Sequence, residues 1–185
     1  MVDASSPVSV AIFCGSSMGS RQLFRSTAEE VGQECASRGI RLVFGGSDVG
    51  LMGALSAAAA DAGGEVIGVS PSVLIDLEPP SHGIEIEIVS SLGERKRRFM
   101  ELSDAVLVLP GGIGSLDEAF EAMTARQLGL TSAQVIFLNV GGFWDPLKVL
   151  LDHLRHNGFV AEDRRFEFPE DVMSAFDIIE RETNS

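Results

Sequence analysis

The chain has 185 residues, enough for one domain with a full hydrophobic core, and its formal charge of −13 argues against non-specific binding to nucleic acid or to anionic membranes. Cys14 and Cys35 are its only cysteines, too few for a disulfide framework, which points to a reducing, cytoplasmic setting. The first seven residues carry neither a basic region nor an apolar one, so no signal peptide is expected, and no apolar stretch is long enough to span a bilayer.

Apolar, β-branched runs alternate with helical patterns along the chain. In order, the sequence predicts a strand at Val8–Phe13, a helix at Gln22–Ser37, a strand at Leu42–Phe44 and a helix at Leu51–Asp61. Strands follow at Val66–Val69 and Ile84–Val89, then a helix at Leu92–Ser103, a strand at Ala105–Leu109 and a helix at Leu116–Leu128. A strand at Val135–Leu138 and helices at Pro146–His156 and Glu170–Glu180 complete the set. Several strands are apolar throughout, as parallel strands buried on both faces are. The rhythm predicts an α/β fold: a Rossmann-like, doubly wound parallel sheet in a single domain, with its core over about residues 8 to 178. The stretch from Asp76 to Gly83, with Pro79-Pro80, is the surface excursion expected to move or act as a lid.

The most informative segment is Pro110-Gly111-Gly112-Ile113-Gly114-Ser115-Leu116-Asp117-Glu118. A buried strand ends in a glycine turn, and a helix starts at once. Such a turn exposes backbone N–H groups at the positive end of a helix dipole, a ready place for a phosphate. Glu118 then projects from the first turn, within reach of whatever the phosphate is attached to. Ser115-Leu116-Asp117-Glu118 also fits a capping box, in which Ser115 caps the helix and Glu118 reaches back to it. The glycines before it favour the phosphate cradle. Ligands of doubly wound sheets bind at the carboxyl ends of the strands. Two further small-residue loops fall there, making Gly15, Ser16, Ser17, Gly45 and Gly46 candidate contacts.

Other sites fit less well. The first turn, Gly15-Ser16-Ser17-Met18-Gly19, lacks the G-x-G-x-x-G spacing, and strand two ends in glycines rather than in a ribose-binding acid, so a dinucleotide site is disfavoured. No Gly-Lys-Ser/Thr follows any glycine turn, which excludes a P-loop. His153 and His156 lack a third metal ligand, and Ser16 and Ser17 have no identified base. In the run Arg95-Lys96-Arg97-Arg98, which follows a second capping-box pattern at Ser91 to Glu94, a helix cannot point four consecutive side chains one way. Arg95 and Arg98 share a face, while Arg97 points about 200° from Arg95.

Taken together, these segments resemble the LOG ("lonely guy") family of cytokinin riboside 5′-monophosphate phosphoribohydrolases. Residues 110–118 resemble its PGGxGTxxE motif, Glu94-Arg95-Lys96 sits upstream at the family's spacing, and Cys14-Gly15-Ser16-Ser17 and Gly45 through Gly53 are similar to its other two loops. The resemblance implies a Rossmann-like dimer that hydrolyses the N-glycosidic bond of adenine-type nucleoside 5′-monophosphates. It implies Arg95 and Glu118 as the catalytic pair. It implies substrate contacts from Glu78, Lys96, Gly111, Gly112, Ile113, Gly114, Ser115, Leu116, Asp117 and Thr124. The chain departs from the family pattern in having Ser115 for Thr, Ser47 for a third glycine, Ala125 for a common Trp and Gly141 for Asp.

Proteins of this kind are often labelled lysine decarboxylases, yet pyridoxal phosphate needs a Schiff-base lysine and only Lys96 and Lys148 exist. The expected reaction gives free base and ribose 5-phosphate. Glu118 stabilises the oxocarbenium-like sugar or activates water, and Arg95, too basic to be a general acid, orients it. No metal or organic cofactor is expected. The alternatives are a housekeeping hydrolase of AMP and a non-catalytic carrier of a phosphorylated cofactor, similar to molybdenum-cofactor carriers. The expected partners are the nucleotide and a second copy of the chain, with no nucleic acid and no membrane. Phe99, Met100, Phe120 and Met123 offer more large apolar side chains than one sheet face needs, a modest independent reason for a dimer.

Overall fold

Parallel strands need both faces covered, and the strands of this chain carry side chains to suit. In the computed structural model, which describes residues 7–75, 77, 79–81, 83–161 and 166–183, six strands form one all-parallel sheet. They are β1 (Ser9–Phe13), β2 (Arg41–Phe44), β3 (Val66–Pro71), β4 (Glu85–Val89), β5 (Ala105–Val108) and β6 (Gln134–Phe137), in the order β4-β3-β2-β1-β5-β6. Along β1 the side chains alternate: Val10 and Ile12 enter one core, Ala11 and Phe13 the other.

The first core is closed by α1 (Gln22–Ser37), α2 (Gly50–Asp61) and α6 (Val172–Thr183), through residues such as Val31, Leu55 and Phe176. The second is closed by α3 (Leu92–Leu102), α4 (Ile113–Gln127) and α5 (Asp145–His156), through Phe99, Ala119 and Leu151. This is the doubly wound, Rossmann-like arrangement that the sequence predicts. Among the described residues no helix is long and apolar enough to cross a membrane.

Most predicted boundaries agree with the structure to within two residues. Two differ in ways that matter. Helix α4 starts three residues early, at Ile113 rather than Leu116. The excursion after β3 opens with a short 3-10 turn at Ser72–Leu74 that the sequence did not announce. The rest of that excursion, at Pro79–Ser81, is stitched to the loop after β2. There the Asp48 N–H donates to Pro79 O at 3.0 Å and the Ser81 N–H to Gly46 O at 2.9 Å. The expectation of a lid rests partly on Asp76, Glu78 and His82, which lie outside the described residues.

The apolar surplus foreseen on α3 and α4 is largely absorbed by the core. Phe99 is wholly buried, and Met100 and Met123 pack against the same cluster. Phe120 stays 38% exposed, and Ile113 and Leu128 are more open still.

Helices α1 and α2 cross closely at Gly32. A β-carbon there would overlap the Leu55 carbonyl and lie 2.9 Å from the Ala59 N. Gly32→Ala is therefore expected to destabilise the fold by about 1–3 kcal/mol through overpacking. Urea unfolding checks this, with a lower midpoint and an unchanged slope as the expected result.

Candidate active site

Between β1 and β5 the sheet order reverses, and the loops leaving the two strands part to form a crevice. The loops are pinned at the crevice floor. The Gly15 N–H donates to Pro110 O at 3.1 Å, and the Leu51 N–H to Gly15 O at 3.0 Å. Gly15 is buried beneath Ser16 and Ser17, which are exposed.

Helix α4 opens on this crevice. Its N-cap is Gly112, in extended conformation and with no side-chain cap, and the first intrahelical bond runs from the Leu116 N–H to Gly112 O at 3.1 Å. The N–H groups of Ile113, Gly114 and Ser115 thus point out of the helix end, where an anion would meet them. The capping box foreseen at Ser115 does not form, because the helix has already begun. Ser115 is a buried first-turn residue whose hydroxyl lies where a β-carbon on Gly111 would be. For the same reason Glu118 stands in the second turn, not the first.

Helix α3 supplies the opposing charge. Ser91 caps it, its hydroxyl accepting the Glu94 N–H at 3.1 Å, but the Glu94 carboxylate closes on Ser90 N–H at 2.8 Å rather than on Ser91. From this start Arg95 turns inward and is 7% exposed. Its Nε donates to Val69 O at 3.0 Å and its Nη2 to Gly45 O at 3.2 Å, and its guanidinium lies 5.4 Å from the Phe99 ring centre. Its Nη1 stands 3.8 Å from Glu118 Oε1. A β-carbon on Gly45 would overlap the guanidinium. Gly45 therefore makes room for Arg95.

The neighbouring cations go elsewhere. Arg98 is held by Glu87 of β4 at 2.6 Å and by Glu101. Arg97 is exposed and pairs with Glu101. Lys96 reaches α4, where it pairs with Asp117 at 3.2 Å and with Glu121.

Arg95, Glu118 and the α4 N-terminus line one cavity of about 160 Å³, together with Cys14, Gly15, Ser16 and Met52. Burial, reinforced by the Glu118 carboxylate, pushes the Cys14 thiol far above its ordinary value, so it stays neutral and is no nucleophile. A second cleft of about 170 Å³ shares Gly15 and Gly112 with the first and is bordered by Ser17, Gly111, Phe24, Leu51 and Phe143.

Not every expected contact lies in this cavity. Leu116 packs against the core below, and the Gly46 carbonyl is taken by Ser81. Thr124 is exposed, its hydroxyl donating to Phe120 O at 2.8 Å. Glu78 lies outside the described residues. Glu121 went unnoticed in the sequence, and Ser47 was seen there only as a departure from the family's glycine. The Ser47 hydroxyl, where the family pattern has glycine, donates to Pro79 O at 3.1 Å and helps to hold the excursion down.

An open helix N-terminus, a buried arginine and a carboxylate in one crevice of a Rossmann-like sheet are the parts of a site for a small phosphorylated molecule. A family described as "Possible lysine decarboxylase" matches residues 52–179. The probable cytokinin riboside 5′-monophosphate phosphoribohydrolase LOGL1 of Oryza sativa subsp. japonica is 43% identical over 157 residues, covering 84% of this chain and 70% of that protein. The rice phosphoribohydrolase LOG is 41% identical over 84% of this chain and 65% of its own length. Its Arabidopsis thaliana counterpart LOG3 is 38% identical, over 84% and 73%. The chain belongs to this LOG family of phosphoribohydrolases.

Solved structures share the fold. A molybdenum cofactor binding protein from Rippkaea orientalis aligns with a TM-score of 0.73 at 20% identity, over 96% of this chain and 98% of that one. The molybdenum cofactor carrier protein of Chlamydomonas reinhardtii aligns at 0.75 and 19%, over 97% and 100%. At such identities the likeness is one of fold alone.

The residues do not fit the pyridoxal phosphate that a decarboxylase would need. The Glu121 carboxylate, with Asp117 beside it, holds the Lys96 amine above the ordinary lysine range, in the charged form that cannot attack an aldehyde. Lys148 sits on α5 between Asp145 and the Phe168 ring, away from the crevice.

Arg95→Ala leaves the buried Val69 and Gly45 carbonyls without this donor and removes the cation that faces Glu118. It is expected to lower stability by about 3 kcal/mol and to abolish activity. Arg97→Ala is expected to leave both unchanged. Thermal unfolding and turnover of the two variants, measured side by side, check the placement of α3. Equal losses would contradict it.

Proposed function

We propose that this protein hydrolyses the N-glycosidic bond of adenine-type, cytokinin riboside 5′-monophosphates, releasing the free base and ribose 5-phosphate. The observation that carries this is the Arg95–Glu118 pair opening onto the same cavity as the α4 N-terminus. The 5′-phosphate sits on the N–H groups of Ile113, Gly114 and Ser115, and the anchored sugar presents C1′ to Glu118. As the C1′–N9 bond breaks, positive charge grows on the sugar and the carboxylate offsets it. Glu118 also accepts a proton from the attacking water as the water oxygen bonds to C1′. That proton is then given up to solvent while the departing base takes one from solvent, so the net change is the consumption of one water. Arg95 faces Glu118 across 3.8 Å and orients it. A carrier has no use for such a carboxylate, which favours the enzyme.

The family resemblance and the exposed Ile113, Phe120 and Leu128 along α4 support a homodimer closed through that helix. Two buried, unpaired thiols fit a reducing, cytoplasmic setting.

Free base released from AMP and from isopentenyl-AMP tests the activity. Glu118→Gln, which keeps shape and loses charge, is expected to reduce kcat on the order of 10² or more with nucleotide binding retained. Adenosine, lacking the anchor, is expected to react far more slowly than AMP. Near wild-type kcat in the variant would remove Glu118 from the chemistry, and equal kcat/KM for adenosine and AMP would remove the phosphate site.

Light scattering at micromolar protein is expected to give twice the 19.7 kDa chain mass. A single-chain mass with full specific activity would overturn the dimer.

A further inference from the structure

We propose that Ser47 is a positioning residue: its buried hydroxyl latches the loop after β2 to the excursion after β3, and that hold sets the Gly45 carbonyl to which Arg95 is bonded. The kinetic part of this inference rests on the hydrolase reading above.

Two ties fasten the same stretch of chain from opposite sides. From the α3 side, Arg95 joins the Gly45 carbonyl, at 3.2 Å, to the Val69 carbonyl of β3, at 3.0 Å. From the α2 side, the excursion that leaves β3 returns to residues 46–48. There the Ser81 N–H donates to Gly46 O, and Pro79 O accepts both the Asp48 N–H, at 3.0 Å, and the Ser47 hydroxyl, at 3.1 Å. The Ser81 hydroxyl meets that of Ser56 on α2 at 3.3 Å, with both residues buried. Between the two ties Gly46 lies against β3, where a β-carbon on Gly68 would stand 2.6 Å from Gly46 Cα. Gly46 itself has φ +80°, a conformation that glycine adopts freely. It is the joint about which the loop turns, with Arg95 pulling on one side and the excursion on the other.

Ser47 is 1% exposed, and a hydroxyl so deeply buried needs its partners. It donates to Pro79 O and accepts the N–H of Val49, the N-cap residue of α2, at 3.4 Å. Ser47 does not line the cavity that holds Arg95 and Glu118, so its influence on turnover passes through the loop. Without the hydroxyl the backbone bonds at Gly46 and Asp48 still dock the excursion, so the joint is loosened rather than opened. The Gly45 carbonyl then holds Arg95 less firmly, and Arg95 is the group that orients Glu118.

The test uses the full chain with AMP and the variants Ser47→Ala and Ser56→Ala. Loss of one hydrogen bond predicts that the Asp48 and Ser81 amides exchange with solvent about threefold to tenfold faster in Ser47→Ala, while the amides of β1 and β5 keep their rates. In nitrogen-15 NMR the Nη–H signals of Arg95 broaden and exchange faster in the same variant. Its kcat falls about threefold to tenfold, with KM changed by less than about twofold. Ser56→Ala, which releases the Ser81 hydroxyl without touching the loop, moves the same amides and the same Arg95 signals. Faster exchange at Asp48 and Ser81 with the Arg95 signals and kcat unmoved would make the latch structural only and overturns the proposal. Unchanged exchange at both amides overturns it too, as does a KM raised about tenfold with kcat kept. If Ser47→Ala does not fold, Ser56→Ala decides by the same readouts. If the wild type releases no base from AMP, the proposed function falls, and the Arg95 signals decide the latch without turnover: signals that move in Ser47→Ala support it, and unmoved signals overturn it.

Discussion

A guanidinium placed nine-tenths out of water must be paired and hydrogen-bonded, or the fold cannot carry it. Arg95 meets that demand with groups from four places: the Val69 carbonyl of β3, the Gly45 carbonyl after β2, the Phe99 ring one turn along α3, and the Glu118 carboxylate on α4. Each of these is thereby held to a common centre. The loop after β2 is fixed on one side by Arg95 and on the other by the Pro79–Ser81 segment, which leaves it little freedom to shift. The cavity wall is cross-linked at the point where a buried charge requires partners.

In the proposed reaction, helix α4 would separate anchoring from chemistry by simple geometry. Ser115, the last of the open donors, and Glu118 are three residues apart, about 4.5 Å along the axis. Side chains on a helix lean toward its N-terminus, so the carboxylate tilts back toward the anion site instead of away from it. One helix can then grip a phosphate end-on and present a carboxylate to the sugar attached to it. The neutral Cys14 thiol forms part of the wall without competing for the sugar.

The sheet, its two cores and the crevice were legible in the sequence because apolar periodicity and glycine turns are local signals. Helix α1 matched its predicted span, as a long periodic segment should. The start of α4 was not legible. Gly112 and Gly114 look like helix breakers, and the S-x-x-E pattern suggested a later start. Yet glycine is acceptable at an N-cap, and the exposed Ile113 needs no apolar partner to begin the helix. The partnership of Lys96 with Asp117 and Glu121 was hidden for another reason. It joins residues more than 20 positions apart, and only the packing of α3 on α4 brings them together. The Ser47 latch was likewise invisible. In sequence it was a missing glycine, whereas in the structure its hydroxyl gains a carbonyl acceptor on Pro79.

The space that Arg95 occupies is the space a side chain on Gly45 would fill, so the two positions, 50 residues apart, are not independent. While the arginine is in place, position 45 tolerates hydrogen and nothing larger. Once the arginine is replaced by a small residue, the remaining obstacle is the Met52 sulfur, 2.8 Å from such a β-carbon, and a shift of that flexible side chain into the vacated space would let position 45 carry a larger residue. Descendants of this fold that have abandoned bond cleavage would be expected to show both changes together, an inherited mark by which a pure carrier could be told from a hydrolase without an assay.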